Sequence, residues 1–124
     1  MVTAAYASIL AIWMVYLAVQ VIKLRRKHKI AWGDGGNDAL AMARSAHTNA
    51  SEYIPVTLIL MFLLEYNGGP AWLIHAVGII FVLGRIVHGK ALLNDSLKNR
   101  VRGMVATFAT IVALSVLNLV YVLF

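Results

Sequence analysis

The chain contains no cysteine. This absence excludes a disulfide framework, a thiolate metal site and a cysteine nucleophile. The four histidines, at positions 28, 47, 75 and 88, also lack a metal-binding spacing such as His-Glu-x-x-His, so no metal site is predicted. Any thiol chemistry must therefore use a sulfur atom that another molecule supplies.

Acidic residues are scarce as well, with 5 Asp and Glu against 11 Lys and Arg among 124 residues, a net charge of +6. Hydrophobic residues make up 61% of the chain, and the mean hydropathy is +0.80. A soluble domain is about 45–50% apolar. We therefore predict one integral membrane domain over residues 1–124. No nucleic-acid-binding motif accompanies the basic charge, so no nucleic-acid partner is expected.

Four apolar stretches are long enough to cross a membrane as helices. They are too long and too uniform for the alternating strands of a barrel. The glycine-rich segment Gly33–Gly36 and the turn Asn67–Pro70 separate some of them. The first stretch has no basic segment before it, so it is interpreted as a retained span and not a cleaved signal peptide. The prediction is an all-α membrane protein, an up-down-up-down four-transmembrane-helix bundle with helices at about 3–22, 38–65, 71–88 and 104–124.

Lysines and arginines are concentrated in two of the three predicted connections. Residues 23–29 contain five of them, residues 90–102 contain four, and the connection near Asn67 contains none. Basic connections stay on the cytoplasmic side and meet anionic lipid there. We therefore predict both basic connections in the cytoplasm and both termini on the outside.

A polar segment, residues 44–55, stands directly before the apolar run Ile54–Leu64. Polar side chains at such a place are costly in hydrocarbon and are candidates for function. At 100° per residue, Asn49, Glu52 and Tyr53 point into one sector of the helix and can contact one ligand. A stripe of small residues that would let another helix approach occupies the remaining arc. Its members are Ala39, Ala43, Ala46 and Ala50.

Several of these residues also have a structural interpretation. In that interpretation Asn49 and Glu52 only pair with arginines and hold the bundle together, and Glu52 is the predicted partner for Arg85 inside the third span. His88 is expected near the interface with water. Arg100 and Arg102 either determine topology or clamp an anion. Asn118 is expected to form a hydrogen bond between helices.

The segment Ser45-Ala-His47-Thr-Asn49-Ala-Ser-Glu52-Tyr53-Ile-Pro55 resembles the signature of the MAPEG superfamily, the membrane-associated proteins in eicosanoid and glutathione metabolism. That signature is roughly Arg-Ala-His-x-Asn-x-x-Glu-x-x-Pro. The resemblance extends over the whole chain through three further stretches and is strongest to short bacterial members, which implies a bacterial inner membrane. Those stretches are residues 32–37 (Trp-Gly-Asp-Gly-Gly-Asn), 83–88 (Leu-Gly-Arg-Ile-Val-His) and 100–103 (Arg-Val-Arg-Gly).

The resemblance implies a homotrimer that binds glutathione as cosubstrate between subunits, near the cytoplasmic side. A hydrophobic small-molecule substrate, an electrophile or a lipid hydroperoxide, would enter from the membrane lipids. Arg102 matches the catalytic arginine that holds the thiolate, and Glu52 would take the amino end of the tripeptide. The sequence departs from the signature at its first position, where Ser45 stands and Arg44 lies about 100° round the helix. The glutathione-binding residues implied by position are Lys29, Arg44, His47, Asn49, Glu52, Tyr53, Arg85, His88 and Arg100.

Three functions therefore compete at this point. The first is a membrane-bound glutathione-dependent transferase or peroxidase. The second is a non-catalytic lipid-binding or scaffold protein of the same fold, so whether the chain is an enzyme stays open. The third is a proton-coupled transporter built on Glu52, which the absence of any acid from the first span disfavours, since small multidrug exporters carry their key glutamate there.

Overall fold

A computed structural model describes all 124 residues of the chain. It contains four helices and no strand, which confirms the prediction of an all-α protein with four helices. The helices are α1 (Thr3–His28), α2 (Asp38–Tyr66), α3 (Ala71–Leu93) and α4 (Leu97–Leu123).

Three of the four helices are longer than their apolar stretches predicted. α1 continues to His28 instead of ending near residue 22, and α3 continues to Leu93 instead of residue 88. α4 begins at Leu97, well before residue 104. Lysine, arginine, leucine and alanine are all good helix formers, so helix formation does not stop where hydropathy falls. The two basic connections are therefore mostly helix ends, and the cations in the last turn of α1 face the negative end of its dipole.

Consecutive helices run antiparallel, as side-chain contacts between their ends show. Val2 and Thr3, at the start of α1, contact Glu65 at the end of α2. Asn118, near the end of α4, donates to the carbonyl oxygen of Leu60 at 3.0 Å, which confirms the predicted hydrogen bond between helices. We call the end of the bundle with both termini and the α2–α3 turn the turn end. The opposite end, with the cations, is the basic end.

The helices divide into an inner and an outer pair. α2 and α3 each contact all three other helices, whereas α1 and α4 do not contact one another. Three helices, α1, α3 and α4, are long and apolar enough to cross a membrane. α2 is not, because its first half carries the polar segment. In that half, the side of α2 that packs on the other helices is formed by small residues, and most of the polar side chains face outward from the protomer. That α2 also spans stays a prediction.

α3 and α4 approach each other most closely at two glycines near the basic end. A Cβ atom on Gly103 would lie 2.5 Å from the Cβ atom of His88 and 2.8 Å from the carbonyl oxygen of Gly84. A Cβ atom on Gly84 would lie 2.8 Å from that of Ala106. Small residues permit such close crossings in membrane bundles. The crossing places the side chains of α3 and α4 beside the polar segment of α2.

Candidate functional site

The polar segment of α2 forms an open concavity of about 350 Å³ at the basic end. All but one of its lining residues are polar. They come from one face of α2 and from the loop before it, and they are Asp34, Ala41, Arg44, Ser45, Thr48, Asn49 and Glu52. Both signs of charge are present, which suits a ligand that carries both an ammonium and a carboxylate group. We call this feature the α2 concavity.

The opposite face of α2 explains why these polar groups point outward. Ala43, Ala46 and Ala50 are fully buried against the other helices. This buried stripe confirms the predicted close helix approach at three of the four alanines, whereas Ala39 is exposed. Because small side chains fix which face of α2 packs inward, Arg44, Ser45 and Glu52 are turned away from the core and are exposed.

Arg85 of α3 is fully buried beside the α2 concavity. Its Nη2 atom donates to the Oδ1 atom of Asn49 at 2.7 Å, and its Nη1 atom donates to the Oγ1 atom of Thr107 at 3.3 Å. The Thr107 hydroxyl in turn donates to the carbonyl oxygen of Gly103 at 2.9 Å, so its lone pairs are free for the guanidinium. Asn49 is thus both a partner of the buried cation and a wall of the concavity.

The predicted ion pair between Glu52 and Arg85 is wrong. Asn49 occupies the position next to the guanidinium, and Glu52 is exposed on the concavity side of α2. All the hydrogen-bond partners of Arg85 are uncharged, and its Nε atom has no partner at all. A buried cation is expensive unless an anion compensates it. The protomer itself does not supply that anion.

Tyr53 does not line the concavity but turns toward α4. Its ring packs edge-on against Phe108, with ring centroids 5.5 Å apart and an interplanar angle of 79°. Its phenol lies close to the Arg85 guanidinium. Tyr53 therefore belongs to the group around Arg85, together with Asn49.

His88 is buried, with an exposed fraction of 1%, in contrast to the prediction that it is solvated near the interface. The close packing of Gly103 over its Cβ atom is the physical reason. Neither ring nitrogen has a hydrogen-bond partner. His88 lies one helical turn from Arg85 on α3, so both polar side chains face the same α3–α4 crossing.

The remaining predicted site residues are less closely grouped. Arg100 and Arg102 are exposed in the first turns of α4. Lys29 is the exposed left-handed residue that ends α1, with φ 55°. His47 is half-buried on α2 about 160° away from Asn49. None of these four side chains lines the α2 concavity.

Comparison with known proteins decides the family. The MAPEG family pattern matches residues 3–120 of this chain. The chain belongs to the MAPEG family. The inner membrane protein YecN of Escherichia coli strain K12 is 36% identical over 121 residues, which cover 98% of this chain and 92% of YecN. The protein of the same name from E. coli O6:H1 strain CFT073 is equally similar. Family membership and three apolar helices identify an integral membrane protein.

Ser45 stands where the MAPEG signature has an arginine, and Arg44 is the residue before it. Arg44 and Ser45 both line the α2 concavity with Asn49 and Glu52. An arginine side chain that starts one residue earlier therefore borders the same space.

Two parts of the site were missed by the sequence interpretation. Asp34, in the loop before α2, lines the concavity, and Thr107 of α4 is the buried partner of Arg85. A signal for Thr107 was present, because Gly103, Thr107 and Thr110 recur at helical spacing on α4 and all three are buried. No comparable signal marked Asp34, since the position of a loop carboxylate depends on how the loop folds.

Proposed function

We propose that this MAPEG protein is a membrane-bound glutathione-dependent enzyme, a transferase for hydrophobic electrophiles or a peroxidase for lipid hydroperoxides. The observation that carries the proposal is the buried Arg85 guanidinium, which lacks an anionic partner and is joined through Asn49 to a polar concavity. A ligand carboxylate is the group that such a cation lacks.

The polar groups of the concavity suit the different parts of a glutathione molecule. Glu52, which has a free carboxylate on the concavity wall, takes the ammonium group of the ligand. Arg44 takes a carboxylate from the exposed side, and Asn49 orients the ligand from the concavity wall. Tyr53, which lies outside the concavity, orients the ligand from the α4 side. Lys29, His47, His88 and Arg100 complete the proposed binding set.

Arg102 is the proposed catalytic residue. A free thiol with a pKa of about 8.5 is mostly protonated at neutral pH, and a nearby cation lowers that pKa into the range of about 3.5–7.5. The resulting thiolate attacks an electrophilic carbon and forms a carbon–sulfur bond, while the bond from that carbon to a leaving group breaks and the group departs with the electron pair. In the peroxidase case two thiols are oxidised to a disulfide while the hydroperoxide is reduced to an alcohol and water. The chain has no cysteine of its own, so it adds no competing thiol.

The proposed site requires a neighbouring protomer, because Arg102 is exposed and does not line the concavity of its own chain. We place it at an interface between subunits of a homotrimer. The mass of the detergent-solubilised complex, measured by light scattering with the detergent contribution subtracted, should equal three chains. A monomer that still binds glutathione at full affinity would remove the intersubunit site.

The proposed orientation places the basic end in the cytoplasm and both termini outside, as the positive-inside bias predicts. Fusions of reporters to the C-terminus test it. A reporter that is active only in the periplasm should give signal, and one that is active only in the cytoplasm should not. The reverse result would put the site on the wrong side for cytoplasmic glutathione.

The decisive experiment is calorimetric titration of the purified protein with glutathione, followed by thiolate absorbance of the complex. Arg102→Ala should abolish the thiolate signal, while Lys98→Ala, an exposed cation on the same helix, should leave it unchanged. Glu52→Gln should weaken binding about tenfold, the equivalent of one charge-assisted hydrogen bond. Absence of thiolate signal in the wild type, with no loss of affinity in Glu52→Gln, would refute the proposal.

A non-catalytic binding protein is the second candidate, and the departure from the MAPEG signature at Ser45 favours it. The same titration separates the two functions. Binding of glutathione or lipid with neither conjugation of a hydrophobic electrophile nor reduction of a lipid hydroperoxide would identify a binding protein. Restoration of the signature with Ser45→Arg would then be expected to raise affinity without creating turnover.

A further inference from the structure

A second concavity of about 360 Å³ lies at the basic end between α1 and α3, and it shares no residue with the α2 concavity. Its polar lining residues come from these two helices. They are Tyr16, Gln20, Lys23, Lys27, Lys90 and Asn94. We call this feature the lysine groove.

A close helix contact determines where the lysine groove begins. A Cβ atom on Gly89 of α3 would lie 2.7 Å from the Trp13 ring and 3.3 Å from Leu17, both on α1. The two helices therefore touch at Gly89. The next residue of α3 is Lys90, whose side chain lines the groove together with Lys23 and Lys27 of α1. The helices are in contact at Gly89, and beyond it they enclose the groove that the three lysines line.

The charge in the lysine groove is not compensated by its own walls. Three lysines line it and no carboxylate does. All three lysines are exposed, and the acids Asp38 and Asp95 line an adjoining concavity. Three like charges in one small groove repel one another, so an anion that bridges them is stabilised. Lysine is a point-charge donor that suits the oxygens of a phosphate group.

The other walls of the lysine groove are apolar. Leu24 and Leu93 line it at the level of the lysines, and the Tyr16 ring, which lies deeper in the bundle, is stacked on Trp13 with centroids 5.0 Å apart. The groove lies near the basic ends of α1 and α3, and both helices are long and apolar enough to span a membrane. A free ion would use the cations and leave this apolar wall unused.

We infer that the lysine groove is a binding site for the phosphate headgroup of an anionic phospholipid, with the upper acyl chain directed past Leu24 toward the deeper Tyr16 ring. Basic pockets between membrane helices at the cytoplasmic side are suited to such headgroups. The phospholipid would contact side chains that the proposed glutathione site does not use. Each of the two proposals can therefore be refuted without affecting the other.

Native mass spectrometry of the detergent-solubilised protein tests the inference with phosphatidylglycerol as the probe and phosphatidylcholine as the zwitterionic reference. The double variant Lys23→Gln/Lys90→Gln should weaken phosphatidylglycerol binding about 25-fold, since each lysine near an anionic headgroup contributes about fivefold. The matched control Arg26→Gln/Lys98→Gln removes the same charge from exposed positions outside the groove and should change affinity less than about twofold.

A charge-conserving variant guards against a loss of folding. Lys23→Arg/Lys90→Arg should keep most of the affinity that the glutamine variant loses. Equal losses in the glutamine variant and the control would show diffuse attraction and overturn the site. Equal affinity for phosphatidylcholine would overturn the requirement for an anionic headgroup. Full displacement of the lipid by inorganic phosphate at millimolar concentration would overturn the assignment of the apolar wall to a lipid chain.

Discussion

The two ends of this bundle treat a charged side chain in opposite ways. At the turn end, the Glu65 carboxylate accepts hydrogen bonds from the backbone N–H groups of Val2 and Thr3 and from the Thr3 hydroxyl. At the basic end, the Arg85 guanidinium has only neutral partners and one nitrogen with none. The Glu65 charge is compensated within the protomer, whereas the Arg85 charge is not.

The turn end shows what a purely structural charge achieves. α1 begins without a side-chain cap at Val2 and without an acid in its first turn. Glu65 of α2 supplies both, because its carboxylate accepts from the first N–H groups of α1 and lies at the positive end of that helix dipole. The Glu65 carboxylate therefore has its hydrogen-bond partners without a ligand. The contrast supports a ligand-binding interpretation of Arg85 and a structural one of Glu65.

The largest effect should come from the glycine at the α3–α4 crossing. Gly103→Ala would place a Cβ atom 2.5 Å from the Cβ of His88 and 2.8 Å from the backbone of Gly84, neither of which can move alone. We expect a loss of about 3 kcal/mol in the free energy of unfolding, measured by denaturation in mixed detergent micelles.

Gly78→Ala is the comparison at the other end of α3. There the new atom would meet the Tyr6 ring at 2.7 Å, and this side chain is buried and hydrogen-bonded to His75, so it can shift only partly. Replacement of a helical glycine by alanine also gains about 1 kcal/mol, which offsets part of that strain. The loss of unfolding free energy should be about 1 kcal/mol, smaller than at Gly103, where the new atom meets backbone and a Cβ atom. If both variants lose the same stability, the crossing near His88 is not the tighter contact.

The next effect concerns the carboxylate at the turn end. Glu65→Ala removes the acceptor for three donors at the start of α1, which should lower the unfolding free energy by about 1–2 kcal/mol. Amide hydrogen exchange at Thr3 should accelerate as the first turn frays. Glu52→Ala is the control on the same helix, since Glu52 is exposed, and its effect should stay within about 0.5 kcal/mol. Equal effects would mean that Glu65 does not hold α1.

The sequence predicted the elements of this bundle better than the contacts at its ends. Apolar runs of about 20 residues predicted four helices, because helix is the form in which a membrane segment satisfies its own backbone. The runs did not predict that α1, α3 and α4 extend past them, since helix propensity does not follow hydropathy.

The sequence also predicted the faces of α2 in the candidate site better than the contacts between helices there. Helical spacing placed Asn49 and Glu52 on one face, and both line the concavity. The partner of Arg85 was mistaken, because charge alone favours Glu52 whereas the rotation of α2 brings Asn49 to the guanidinium. Rotation of one helix against another depends on packing of the small residues on its buried side, and spacing within one helix does not contain that information.

The smallest effect on stability should come from the buried cation, and it tests the contrast most directly. Arg85→Met removes the charged guanidinium and keeps an unbranched, flexible, apolar side chain that can adapt to the space. Because no carboxylate in the protomer pairs with Arg85, the loss of its neutral hydrogen bonds is offset by relief of desolvation, so the unfolding free energy should change by less than about 1 kcal/mol. Affinity for glutathione should fall at least tenfold in the same variant, by loss of a charge-assisted contact.

A loss of more than about 3 kcal/mol in stability would show that Arg85 is paired in the assembled protein, as Glu65 is in the protomer. Retained stability with unchanged glutathione affinity would mean that the unpaired guanidinium has no part in ligand binding.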